Sequence, residues 1–285
     1  MKVDAQHNAA LLRLLGDEDP DTVALVKAQL ANSGPETLED LRALEEVADA
    51  LAAFHLRDVI AEIEEHSAEG VLEKLCAEFG EGGDLEKAAW RLATVLLPGE
   101  DFTDVRTVLD RWGREIARRL RKAPTVIDRV ETLSEFLNHE QKLRGNEFDY
   151  YNLSNSLLPS VIQSRLGIPI SLSLVYMLVA RRAGMRLDGI ALPGHFIVRH
   201  EDVFFDPFHG GKRVGLDECR ALLEEQGLKL LPQHLVPATP RQMLVRMMTN
   251  IYCILEKDDP PLADKMAGWI DAVRRGAPES LSDAS

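Results

Sequence analysis

The sequence predicts an α+β protein, predominantly helical, in which one central buried helix and a small antiparallel sheet carry helical appendages at both ends. Three observations lead there. Apolar residues recur at helical spacing from Val23 to Leu137 and again from Leu244 to Val273, and that period is the main sequence signal of amphipathic helices. The stretch LGIPISLSLVYMLVARRAG holds a helix too apolar to face water on any side, so it belongs in a core. Beyond it, short apolar runs, one starting at His195 and one leading into Asp206, flank Glu201-Asp202 as strands flank a hairpin turn.

In chain order, Asp19-Pro20 sets a capping side chain before a first-turn proline, with Val23, Val26 and Leu30 on one face of the helix that follows. Asn32-Ser33-Gly34-Pro35 stops that helix and starts another, with Leu38, Leu41, Leu44, Ala48 and Leu51 aligned. A third helix is expected from Phe54 to Glu65 and a further one from Val71, carrying Leu72, Leu75 and Phe79. None of these buries its stripe alone, so they must stack. Leu85, Ala88, Ala89, Leu92 and Leu96 continue the pattern. The clearest amphipath is Val105, Val108, Leu109, Trp112, Ile116 and Leu120, ended by Ala123-Pro124. One more helix carries Val126, Val130, Leu133 and Leu137.

RGNEFDYYNLSNS, residues 144–156, is a polar loop leading into a short helix over 157–166 that Gly167 ends. Pro169 opens the buried helix. Strands are expected over 187–192, 195–199 and 203–206, the last closed by Pro207, which has no N–H for a sheet ladder. Asp217 caps a helix with Cys219 in its first turn. LLPQHLVPATP, residues 230–240, is a linker or an ordered loop, and two antiparallel helices close the chain before a small, polar tail from about residue 276. The expected organisation is a helical segment over 1–66, a core domain over 67–235 and a helical hairpin over 236–285.

Bulk properties exclude several functions. A formal charge of −14 argues against nucleic-acid binding, because phosphate contacts need a basic face. Arg118, Arg119, Arg121 and Lys122 suit a helix C-terminus instead. Three scattered cysteines without a CxxC pair point to a reducing compartment and away from a zinc site. No apolar run is long enough to span a bilayer, and the first twenty residues do not resemble a signal peptide, so a cytoplasmic location is expected, with no membrane partner. His139, His200 and His234 have no partners at metal-ligand spacing, and His209 belongs to a loop. No metal and no cofactor is expected.

One group of residues has the makings of a reaction centre. Ser171 and Ser173 stand in the first turn of the buried helix, where a nucleophile gains from the dipole, although a serine there is also a favoured cap. His195 follows Pro193-Gly194. If the hairpin turns at Glu201-Asp202, His200 faces Val203 and Ile197 faces Asp206, so Asp206 lies diagonal to His195 on the same side of the sheet. An aspartate there would orient the imidazole and stabilise its cation.

These residues also carry a resemblance. NSLLPSVIQSRLGIPISL, followed by LPGHFIVRH and FFDPFHGG, resembles the transglutaminase-like core of SirB-type regulator proteins and a domain of some F-box proteins. The likeness extends from about Asp84 to Leu230, and ATPRQMLVRMMTNIYCILEKDD is similar to that family's repeat-like tail. LLRLLGDEDPDTVALVKAQLANSG is separately similar to a HEAT-type helical unit. The resemblance implies a papain/transglutaminase-like fold and a Cys–His–Asp triad, with His195 and Asp206 matching the last two members. The thiol would fall near Ser171, yet no cysteine lies between Cys76 and Cys219, and a serine hydroxyl is a far weaker nucleophile.

Two functions therefore fit. The chain is expected to be a transglutaminase-like interaction or regulatory module for a protein or peptide partner, with a degenerate triad. The alternative is a hydrolase or acyltransferase on amides or esters, with Ser171 (or Ser173) as nucleophile, His195 as base, Asp206 as orienter and Asn155 supporting the oxyanion.

Overall fold

The computed structural model describes residues 5–276; the tail expected to fray lies almost wholly outside them. The chain divides into two compact units, one reaching Leu72 and taking in Thr94–Glu100, the other Glu73–Ala93 and the chain from Asp101 on.

The first unit holds helices α1 (Ala5–Leu15), α2 (Pro20–Ala31), α3 (Leu38–Val47) and most of α4 (Ala50–Ala77). Asp19 caps α2, accepting the Asp21 amide, and Pro20 sits in the first turn, where its missing N–H is harmless. Leu15, Leu41, Leu44, Leu56, Val59 and Ile63 bury their stripes in one shared core. The two helices expected on either side of residue 66 are one: α4 runs unbroken for 28 residues. Nothing in HSAEG supplies a breaker stronger than a single Gly, which a helix interior tolerates at about 1 kcal/mol.

The second unit contains the core. Helix α5 (Leu85–Leu96) leads to α6 (Thr103–Leu120), and α7 (Val126–Ser134) runs on into a π-helical turn, Glu135–Glu140. Strand β1 (Arg144–Gly145) pairs in parallel with β2 (Leu166–Gly167), which lies after helix α8 (Leu158–Ser164). The residue that ends α8 is Arg165 and not Gly167. Arg165 takes the left-handed conformation at φ 69°, and its guanidinium lies over the Trp112 ring at 4.6 Å, a cation–π contact that offsets the backbone strain.

Helix α9 (Pro169–Arg182) is the buried centre. Eleven of its residues, from Pro169 to Ala180, are inaccessible to solvent. It packs on α6, α8 and the sheet strands β3 (Asp188–Ile190) and β4 (Ile197–His200). The sheet continues with β5 (Val203–Asp206) and β6 (Lys212–Arg213), in the order β3-β4-β5-β6, all antiparallel. β5 has the bounds expected, β3 and β4 are shorter than the strands expected over 187–192 and 195–199, and β6 adds one that a two-residue polar pair could not announce. The cap of helix α10 (Leu216–Glu224) is Gly215 and not Asp217, with the Glu218 carboxylate accepting the Gly215 amide.

Residues 230–240 form an ordered loop rather than a linker. The Ala238 amide donates to Gly189 O at 2.8 Å and Pro237 bridges Ile190, so the loop covers the β3 edge. Helices α11 (Pro240–Asp258) and α12 (Pro260–Arg275) close the described chain as a tightly packed hairpin. No described helix is long and apolar enough to cross a membrane.

Candidate functional site

The β4–β5 turn has two residues, Glu201 and Asp202, and Glu201 takes φ 53°. His200 therefore pairs with Val203, Arg199 with Phe204 and Val198 with Phe205. This register sets His195 Nε2 2.7 Å from Asp206 Oδ2, with both side chains buried. An ionised carboxylate only accepts, so Nε2 carries the hydrogen and a neutral ring is left with Nδ1 as its basic atom.

Asp206 accepts three more hydrogen bonds. Its Oδ1 takes the amides of Phe208 at 2.9 Å and His209 at 3.4 Å, and its Oδ2 takes His209 Nδ1 at 2.7 Å. Burial raises the carboxyl's pKa, but the hydrogen bonds and charges of the two imidazoles outweigh it, and Asp206 ends below the ordinary carboxylate range. His209, expected to be a simple loop residue, is thus a second imidazole on the same oxygen. The signal was its i+3 spacing from an aspartate entering a turn. Ligand atoms of His195, Asp206 and His209 lie within 4.8 Å of one another, a donor set that could hold a transition-metal cation. The two hydrogen bonds already account for their closeness.

The α9 start is built differently. Ser171 is 1% exposed. Its hydroxyl donates to Asn155 O at 2.6 Å, has Ile168 O at 3.1 Å, and accepts the Ile168 amide at 3.1 Å. It ties the helix start to the loop before it. Ser173 is wholly buried, with no hydrogen-bond partner for its hydroxyl. Asn155 donates its amide hydrogens to Asp149 O at 2.6 Å and Tyr150 O at 3.3 Å, and accepts Asn146 Nδ2 at 3.1 Å. That side chain is spent on shaping the loop over 146–155. Among the five candidate residues, His195 and Asp206 meet directly, while Ser171 and Asn155 meet through the Asn155 backbone.

Removing the Ser171 hydroxyl takes the shortest hydrogen bond from the Asn155 carbonyl, which keeps only the Ile168 amide at 3.3 Å, and takes from that amide its closer acceptor. Ser171→Ala is expected to cost about 1–3 kcal/mol, read as a lowered urea midpoint. Ser171→Cys is expected to lose stability as well. The site is tight enough that a Cβ on Gly167 would lie 2.8 Å from Oγ, and sulfur is larger and a weaker donor.

Several residues joined the site without a motif to announce them. Tyr176, on α9, is wholly buried with an unpartnered hydroxyl; burial and then the Asp206 charge push its phenol upward, so it stays neutral. Phe208 packs edge-on to His195 at 6.1 Å and to Tyr150 at 6.3 Å. Phe208 also needs Gly145 opposite, where any Cβ would meet its ring at 2.6 Å. Tyr151 and Phe148 on the same loop are strongly exposed. The cysteines lie outside this constellation. Cys219 is buried in the small core of Ile190, Leu192, Ile197 and Leu223, and its thiol is pushed up by burial. Burial takes Cys76 up to about 12.

Comparison with known proteins points the same way. The sequence profile described as the transglutaminase-like superfamily matches residues 103–249. A UPF0162 protein of Xylella fastidiosa is 34% identical over 54% of this chain and 59% of its own length. The Pseudomonas aeruginosa UPF0162 protein is 32% identical over 62% of this chain and 67% of its own. Mouse F-box only protein 21 is 29% identical over 45% of this chain, but only 22% of its own length. The chain thus spans about three fifths of the Xylella relative that it matches. No solved structure matches.

Proposed function

The chain belongs to the transglutaminase-like superfamily, and we propose that it works by binding rather than by catalysis. In this proposal it is a protein- or peptide-binding regulatory module that keeps the superfamily's His–Asp pair without a working nucleophile. The observation that carries this is the Ser171 hydroxyl. A nucleophilic serine must give its hydrogen to a base. Here the hydrogen goes to a backbone carbonyl at 2.6 Å, inside a fully packed helix start. Ser173 is enclosed as completely. The Asn155 amide, needed to stabilise an oxyanion, is committed to the loop.

The binding surface is the loop over 146–155 and the adjoining turn at 206–209. Phe148 and Tyr151 present aromatic area to solvent beside the Tyr150–Phe208–His195 stack, which runs from the exposed Tyr150 to the buried His195, and exposed aromatics are enriched where proteins meet partners. The His195–Asp206–His209 network holds the turn whose Phe208 packs on Tyr150 of that loop.

Fluorophosphonate labelling and an amidase and esterase screen test the chemistry. Wild type and His195→Ala are expected to give the same background signal. Turnover that disappears with His195→Ala would instead assign the chain as a Ser–His–Asp hydrolase or acyltransferase. For binding, crosslinking with mass spectrometry is expected to map a partner to residues 146–155, and the Phe148→Ala/Tyr151→Ala double variant to lose at least about tenfold in affinity, as hot-spot aromatics do. An unchanged affinity would move the surface elsewhere.

A further inference from the structure

A cavity of about 250 Å³ opens where the loop over 146–155 meets the start of α9, lined by the residues on either side of His195 and by Arg246, Asn250, Cys253 and Ile254 of α11. This is smaller than the roughly 300–1,000 Å³ of pockets for drug-sized ligands. It suits a group of single-residue size.

Its polar side chains are Tyr150, Tyr151, Ser156, Arg246, Asn250 and Cys253, and two of them, Ser156 and Arg246, have donors to offer an incoming acceptor. Ser156 lines it, is 4% exposed and has no hydrogen-bond partner for its hydroxyl, which is unfavourable in a folded chain unless something else supplies one. Arg246 lines it too. One of its nitrogens, Nη1, donates to Leu192 O at 2.8 Å, and the guanidinium stands 5.8 Å over the Phe196 ring. No carboxylate among the described residues pairs with it, although the chain carries fourteen more acidic than basic side chains. Burial disfavours its cation, so an arriving anion is worth more here than at the surface. Ile170 brings the first turn of α9, whose amides lack acceptors within the helix and whose dipole favours negative charge. Tyr150 adds a phenol at the rim. Ile168, Pro169, Phe196 and Ile254 supply its apolar walls.

We propose that this cavity is a carboxylate-binding pocket for one acidic group of a peptide segment, either its C-terminal carboxylate or an aspartyl or glutamyl side chain. The acid accepts from Arg246, Ser156 and the α9 first turn, while a short apolar stem lies on Phe196. The peptide source rests on the proposed binding function above; the affinity for a carboxylate does not.

Methyl NMR of the full chain, following Ile170 and Ile254, tests it. N-acetyl-alanine represents a chain terminus, N-acetyl-aspartate α-amide an acidic side chain, and N-acetyl-alanine amide the neutral control. Saturable shifts are expected with at least one acid and none with the control. The terminus alone, the side chain alone, or both then identify the source. Arg246→Met is expected to raise the half-saturating concentration by roughly tenfold or more, and Arg246→Lys by less, since a lysine keeps the charge but not the fork. Should Arg246→Met fail to fold, Ser156→Ala, which leaves the packing intact, is expected to weaken binding by about threefold to tenfold. Equal shifts with acid and amide, or acid binding indifferent to both positions, would overturn the proposal. Carboxylate binding that fails while the Phe148 and Tyr151 variant still loses its partner removes the pocket and leaves the binding module. Carboxylate binding alongside His195-dependent turnover does the reverse.

Discussion

Asp206→Ala is expected to destabilise the chain by about 3–5 kcal/mol, the range for removing one partner of a buried, hydrogen-bonded charge pair. The loss is larger than for an ordinary core substitution of that size because four donors lose their acceptor together: His195 Nε2, His209 Nδ1 and the amides of Phe208 and His209. With 3% exposure, the site admits little water to replace it. Urea unfolding of the two proteins measures the difference directly, provided that the slope is unchanged. A loss below about 1 kcal/mol would mean that the turn is held by other contacts. The same carboxylate sets an acid limit. Its pKa is lower in the folded chain than in the unfolded one, so its contribution is complete above the unfolded carboxylate value near 4 and fades as pH falls through the lower folded value. Wild type should therefore lose stability below about pH 4 more steeply than Asp206→Asn, which has no charge to lose.

Gly113→Ala is expected to lower stability by about 1–3 kcal/mol, against the helix propensity scale, on which alanine is better than glycine by about 1 kcal/mol. Gly113 lies where α6 crosses α9, and a Cβ there would sit 2.3 Å from Cβ of Arg182. That atom cannot swing away as the end of a side chain can, so the helices must part, with the cost of overpacking. Parting them also strains the Arg182 ion pairs to Glu86 at 2.6 Å and Asp110 at 2.7 Å. Gly70 and Gly268 are matched controls, both inside helices with nothing within 4 Å of an added Cβ. Alanine at either is expected to stabilise by about 0.5–1 kcal/mol. Thermal melts of the three variants should thus move in opposite directions, and a common sign would refute the close crossing.

Much of this is legible in the sequence. The buried helix announced itself because residues from Pro169 to Ala180 include no charged side chain, and such a segment has no face to offer water. The His195–Asp206 distance followed from turn length alone, since strand register alternates sides with a period of two and the hairpin has two turn residues. Other features were hidden by length scale. The sequence points to Gly167 rather than Arg165 as the end of α8, because glycine is the usual left-handed residue. What makes arginine acceptable is the Trp112 ring, fifty-three residues earlier in the chain. The single helix across residue 66 reads as two in the sequence because its apolar period weakens at HSAEG, although a weak period does not by itself end a helix.

By itself, then, the amino-acid order determined most of the helices, the buried position of α9 and the pairing that brings an imidazole to a carboxylate. These depend on periodicity and turn chemistry, which act over a few residues. Only the tertiary structure decided what each polar group does. The Ser171 hydrogen goes to Asn155 O, sixteen positions away, His209 shares the oxygen that holds His195, and Arg246 comes to Ser156 across ninety positions. A hydroxyl or guanidinium takes whichever acceptor packing leaves nearest, and that choice is made when distant segments close on one another.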